Sequence, residues 1–193
     1  MAGWRRRAGH WAVACLLCLG FWQLGQGAYI PAKAWLAQEL MQRAWRQAQT
    51  GARRPAPWPW ADTWPVARLS AKSGDVDLIV LSGGSGRTLA FGPGHLSASS
   101  LPGERGNAVI AGHRDTHFSF LRRVEIGEAL AIETRDGRHL EFRVVDIDIV
   151  DARRGALLLD TDRPMLSLVT CYPFEARAPG GPLRYVVTAT VID

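Results

Sequence analysis

The chain has 193 residues, 47% of them hydrophobic and 21% charged, with a formal charge of +5 and three cysteines. That is the composition of a globular domain with an appendage. Because Cys15 and Cys18 lie in the N-terminal apolar run, Cys171 has no partner in its own domain and no disulfide framework is expected. The charge does not point to nucleic acid: residues 1–54 hold eight of the 23 Lys/Arg against Glu39 alone, leaving 15 basic and 17 acidic residues beyond, so the basic excess belongs to the N-terminal segment, where a membrane surface explains it.

Between Arg7 and Lys33 there is no Lys, Arg, Asp or Glu, and 11–22 (WAVACLLCLGFW) is strongly apolar. Arg5–Arg7 precede the run. Trp4 and Trp11 flank one end and Trp22 and Tyr29 the other, where amphipathic rings favour the membrane interfaces. The pattern predicts a cytoplasmic N-terminus over 1–10 and a single-pass transmembrane signal-anchor over 11–30. The domain that follows is then exported and tethered to lipid through this helix. A cleaved signal peptide is the competing reading, with Ala32-Lys33-Ala34 as an A-x-A site. Cys15 and Cys18 read as small packing residues three apart on one helix face.

Residues 31–65 read as a stalk and linker. Ala34, Ala37, Met41, Ala44, Trp45 and Ala48 recur at helical spacing over 32–49. RRPAPWPWADTWP (53–65) has four prolines in thirteen residues, the composition of a stiff extended linker. All eight tryptophans precede residue 65, which places a domain boundary at Val66.

From Val66 to the end, short β-runs alternate with glycine-rich turns. Strands are predicted at 75–82, 107–113, 128–134, 139–150, 164–171 and 184–192, with a hairpin turn at Asp136-Gly137. Six to eight strands in this length imply an all-β, closed or nearly closed barrel with short helices. Ser82-Gly83-Gly84-Ser85-Gly86 reads as a flexible turn with no helix after it. Asp146, Asp148 and Asp151 read as a solvated strand face. No metal site and no cofactor are expected.

Three polar residues sit at predicted strand ends. Cys171 closes 164–171, His113 closes 107–113 and Arg184 opens 184–192. A nucleophilic thiol needs a group to share its proton and a donor for the developing oxyanion. His and Arg have those chemistries, and Arg serves only as a donor because it never loses its charge. Taken singly, each has a plainer reading: a packed cysteine, a capping histidine, a solvated arginine.

The longer strings go further. Ser167-Leu168-Val169-Thr170-Cys171, with Arg184 thirteen residues on, closely resembles the sortase signature T-L-x-T-C…R, with Ser167 where Thr is usual. AGHRDTHF (111–118) resembles the sortase catalytic-histidine segment. GPGHL (92–96), LPGERGN (101–107) and GHRDTHFSFL (112–121) follow in the order of class D-type sortases. The resemblance covers 66–193 as the catalytic domain. It implies an eight-stranded sortase-type β-barrel and a membrane-anchored cysteine transpeptidase on the extracytoplasmic side of the cell membrane. Cys171 is then the nucleophile, His113 the proton carrier, Arg184 the stabiliser of substrate carbonyl or oxyanion, and Thr170 a substrate contact. His117 is the rival to His113. His95 takes a structural role; His10 and His139 take none. The implied partners are an exported protein with a C-terminal LPXTG-like sorting signal and an amine acceptor: a cell-envelope component, another protein, or water. The alternatives are a cysteine peptidase on the same fold and a non-catalytic binding domain.

Overall fold

The computed structural model describes residues 2–71, 76–176 and 180–192. The side chains of Trp4, Arg5–Arg7 and Cys15, the first residue of the strand expected from Asp75, and Ala178 and Pro179 of the 178–182 loop lie outside the described residues. The chain divides into two compact units, 1–39 and 40–193.

Helix α1 runs over Ala2–Gln49. The expected membrane span over 11–30 is not met: among the described residues no helix is long and apolar enough to cross a membrane. The physical reason is in the sequence. The strongly apolar run stops at Trp22, and Gln23, Gly25, Gln26 and Gly27 follow. Twelve helical residues reach about 18 Å, against the roughly 30 Å of a bilayer core.

The second unit starts at Leu40, ahead of the boundary that composition suggests at Val66. The last turns of α1 belong to it. Met41, Ala44, Trp45 and Ala48 are buried, and Met41, Trp45 and Ala48 pack with Ile79 and Leu81 of the barrel. The spacing that predicts an amphipathic helix is real, but here the apolar face meets protein. The proline-rich stretch is also packed down: Pro57 is buried, Trp58 meets Phe91 edge-on at 4.7 Å, and Thr63 donates to the Ser82 carbonyl at 2.8 Å.

Eight strands close into a barrel in the order β1-β2-β3-β4-β7-β8-β6-β5. They are β1 (Pro65–Ala71), β2 (Val76–Ser82), β3 (Gly94–His95), β4 (Gly106–Ala111), β5 (Ala129–Thr134), β6 (His139–Asp151), β7 (Pro164–Cys171) and β8 (Leu183–Val191). A one-turn helix, α2 (Gly86–Leu89), follows the Gly-Ser turn, with Ser85 accepting from the Thr88 amide. The sequence pattern anticipates no helix there. A 3-10 helix spans Ser119–Arg123.

Alternation along each strand sends one side inward. In β7 and β8 the inner residues are Leu166, Leu168, Val187 and Ala189, all buried. They are paired as Leu166↔Ala189 and Leu168↔Val187. Ala108, Ile110, Leu130, Ile132, Phe142 and Val144 belong to the same core, with Leu69 and Val80 of β1 and β2 among others. Burying each large one contributes roughly 1.5–3 kcal/mol. The β5–β6 hairpin turns at Asp136-Gly137 as predicted, with Gly137 at φ 81°, a conformation that glycine adopts without strain.

Candidate active site

Two pairings position the candidate residues. β7 and β8 run antiparallel with Cys171 directly opposite Arg184. Directly opposed residues project to one face, with Cβ atoms about 5 Å apart. β4 and β7 run parallel, in register from Gly106↔Pro164 to Ala111↔Val169. Two residues further along both strands lie His113 and Cys171. His113 therefore stands just past the end of β4, not within it, and level with Cys171. Neighbouring strands lie roughly 4.8 Å apart, so the order across three adjacent strands is His113, Cys171, Arg184.

The alternation also fixes the face. Leu166, Leu168 and Thr170 point inward, so Cys171 points outward with Arg184. On β4, Ala108 and Ile110 point inward, which puts Gly112 inside and His113 outside. The three residues thus share the outer wall at one end of the barrel, rather than its interior mouth. Cys171 is half-buried and carries a free thiol. His113 is exposed and Arg184 half-buried. The Arg184 Nη1 donates to the carbonyls of Gly181 at 2.7 Å and Leu183 at 2.9 Å. That anchors the guanidinium at one nitrogen, and among the described residues Nε and Nη2 make no hydrogen bond.

The turn that carries His113 is held from below. The Gly112 amide donates to the Val169 carbonyl at 3.1 Å, and the Thr170 hydroxyl donates to the Gly112 carbonyl at 2.7 Å. Thr170 is 2% exposed, so the residue expected to touch substrate has its hydroxyl committed to the His113 turn. A side chain at position 112 would meet the Phe118 ring at 2.7–3.0 Å. Glycine lets the chain pass over that buried ring. The His113 carbonyl then accepts from the amides of Phe118 at 3.0 Å and Thr116 at 3.4 Å, closing the turn.

His117, the rival histidine, is half-buried. Burial first, and then the nearby His113, hold its pKa below the ordinary 6.5. Both effects disfavour its charged form. His95 is 4% exposed, its Nε2 2.8 Å from the Ser100 carbonyl and 3.2 Å from the Ser99 hydroxyl, a structural placement. Ser167 is buried and its hydroxyl accepts from Asn107 Nδ2 at 3.0 Å.

The segment after Cys171 is packed as firmly as the strand before it. Tyr172 stacks on Tyr185 with ring centres 6.1 Å apart, and Phe174 is 7% exposed. Arg114 reaches across from the other side. It is itself 7% exposed and donates to the carbonyls of Pro173 at 2.9 Å and Ala176 at 2.6 Å. The sequence reading assigns Arg114 no role. Its one available signal is an arginine flanked by Gly112-His113 and Asp115 in the histidine segment, and burial is not legible there.

A cleft of 710 Å³ is lined in part by Arg54, Trp64, His95, Glu104, Arg135 and Arg138. It borders the β5–β6 hairpin. That hairpin leads into Phe142, paired with Val191 at the far end of β8 from Arg184. The cleft therefore lies at the opposite end of the barrel from Cys171. Asp151, on β6, is ion-paired with Arg153 at 2.5 Å, which holds its carboxyl down to about 2.

The Sortase domain family profile matches residues 69–192. Sortase D of Bacillus subtilis (strain 168) is 32% identical over 114 residues, covering 58% of this chain and 57% of that protein. The chain thus spans little more than half the length of this curated relative. Among solved structures, a lid mutant of Corynebacterium diphtheriae sortase A is similar at 27% identity and a TM-score of 0.62, covering 81% of this chain and 94% of that one. Sortase C-1 from Actinomyces oris is similar at 27% identity and 0.60, covering 79% and 99%. A Clostridium perfringens Sortase D5 transpeptidase, at 20% identity and 0.61 over 79% and 89%, shares the fold.

Proposed function

The chain belongs to the sortase family, and on that premise we propose that its outer β4–β7–β8 wall is the active site of a cysteine transpeptidase. The observation that carries the reading is the register: Cys171 opposite Arg184 on β8, with His113 level on the β4 side. The substrate is an exported protein with an LPXTG-like sorting motif, and the enzyme works in the cell envelope.

The Cys171 thiolate attacks the carbonyl of the motif's threonine. Charge develops on that oxygen, and the free face of the Arg184 guanidinium stabilises it. His113, as imidazolium, protonates the leaving amine, and a thioester remains. Neutral His113 then takes a proton from the incoming amine, whose attack on the thioester forms the new amide and releases the thiolate. Thr170 supports this chemistry from beneath by holding the Gly112 carbonyl. Only enzyme with thiolate and imidazolium together is competent, so the rate has a bell-shaped pH profile.

The test is mass spectrometry of the protein incubated with an LPXTG-like peptide. The wild type gains the acyl mass; Cys171→Ala gains none. Added amine diverts product from acid to amide, and a product that stays entirely acid identifies a hydrolase. An acyl adduct trapped on Cys171→Ala overturns the assignment.

A further inference from the structure

We propose that Arg114 is a positioning residue for this site: it holds the segment leaving Cys171 against the turn that carries His113, and so sets how thiol and imidazole face each other. The inference rests on the reading of Cys171 and His113 given above.

Arginine is rarely buried unless its charge and donors are satisfied. Arg114 is 7% exposed. One carboxylate near it is that of Asp115, 3.5 Å from Nε and itself 69% exposed, so water competes for that pair. Shorter contacts go to two neutral carbonyls, Pro173 and Ala176, each from its own terminal nitrogen. Those carbonyls lie 59 and 62 residues from Arg114 in sequence but only two and five residues beyond Cys171. A planar guanidinium satisfies two divergent acceptors at once; a lysine ammonium is a point donor on a flexible stem.

The pattern is a bracket. Gly112, just before His113, is bonded to Val169 and Thr170, just before Cys171. Arg114, just after His113, is bonded to Pro173 and Ala176, just after Cys171. Each reacting residue is therefore flanked on both sides by a tie to the flank of the other. The first tie is made by backbone and a buried hydroxyl. The second depends on one side chain. Removing the guanidinium alone leaves the Pro173 and Ala176 carbonyls without this donor, so these bonds are what a hydrocarbon at the position would fail to supply.

The experiment compares wild type, Arg114→Met and Arg114→Lys in the full chain. Three quantities are read: acylation by an LPXTG-like peptide, alkylation of Cys171 by iodoacetamide, and amide hydrogen exchange over 113–118 and 174–176. Arg114→Met keeps an unbranched apolar stem and removes the bonds. Its kcat for acylation falls about 10- to 100-fold, as small misplacements of reacting groups do, with KM within about threefold. Alkylation, which needs no partner alignment, stays within about threefold, while exchange quickens in both segments. Arg114→Lys recovers only part of the loss.

Wild-type acylation by Arg114→Met overturns the proposal. So does a parallel fall of acylation, alkylation and Tm, which is the mark of a fold role alone. If wild type takes iodoacetamide at Cys171 but no peptide, the transpeptidase reading fails by itself. The tether is then judged on exchange, and unchanged exchange in Arg114→Met and Arg114→Lys overturns it.

Discussion

At one end of the barrel, the ends of β4 and β7 and the start of β8 bring His113, Cys171 and Arg184 onto an open outer wall. At the other, the last turn of α1 and the β5–β6 hairpin frame a cleft of 710 Å³ lined by charged side chains. This cleft is not where the thiol lies. Ligand sites are usually sought in a well-formed hollow, yet here strand register gathers Cys171, His113 and Arg184. The first end is built from residues adjacent in register and far apart in sequence. The second is built by packing a helix face and a hairpin onto the same shell.

The sharpest contrast is functional. Cys171→Ala removes acylation altogether, whereas Arg54→Ala in the cleft, where Arg54 lies over the Trp64 ring at 4.6 Å, leaves the acylation rate within about twofold, since a distant exposed charge contributes little. Mass-spectrometric acylation assays decide it, and a large loss in Arg54→Ala joins the two ends into one site.

Stability reverses the ranking. Trp45 is 1% exposed against Ile79 and Leu81, and Trp45→Ala is expected to cost about 3–5 kcal/mol in urea unfolding. Iodoacetamide modification of Cys171 in the folded variant stays at the wild-type rate. A matching loss of alkylation shows that the packing end supports the thiol end.

A smaller change at the thiol end tests its own packing. In Gly112→Ala the new methyl meets the Phe118 ring, at an overpacking cost of roughly 1–3 kcal/mol. The His113 turn must shift, so acylation falls along with Tm. Wild-type activity in a destabilised Gly112→Ala protein separates the turn from the chemistry.

These residues also show how much the sequence discloses. β7 is legible to the residue because a largely apolar run ends at Cys171 and Pro173 follows. The hairpin at Asp136-Gly137 is equally plain. β1 is hidden by its opening proline and the linker composition before it, and β3, at two residues, has no pattern to show. The helical spacing of Met41, Ala44, Trp45 and Ala48 announces an apolar face but not what covers it. A charge-free run from 8 to 32 suggests a membrane span until its glycines and glutamines are weighed. Motif strings single out Cys171, His113 and Arg184. The bracket made by Thr170 and Arg114 is invisible there, because it depends on a parallel pairing between segments 58 residues apart.

The smallest expected effect concerns His117. Its pKa lies below 6.5 in the folded protein, so the unfolded chain binds a proton that the folded chain resists. Stability from this group is fully present above pH 6.5 and declines as pH falls toward the folded value. Asp77 and Asp136, held below 3.8 by Arg68 and by Thr134 with Arg138, act only in more acid solution, so the windows separate. His117→Gln flattens the Tm-against-pH curve just below 6.5. Curves that stay parallel to wild type remove His117 from the wall's pH response.

The parallel run of β4 and β7 has a consequence for how the molecule comes into being. Parallel neighbours need a long crossover, and here the intervening chain holds β5 and β6, which must find β1 and β8 to close the shell. Contacts of such separation are slow to form, because loop closure precedes any reward. The histidine leaves the ribosome well ahead of the cysteine and waits without a partner. A nascent or truncated chain that stops short of β7 has His113 without Cys171, and one that lacks β8 has no Arg184 opposite the cysteine. Reactivity therefore matures with the last strand, and in a refolding experiment thiol-dependent acylation recovers no sooner than barrel closure.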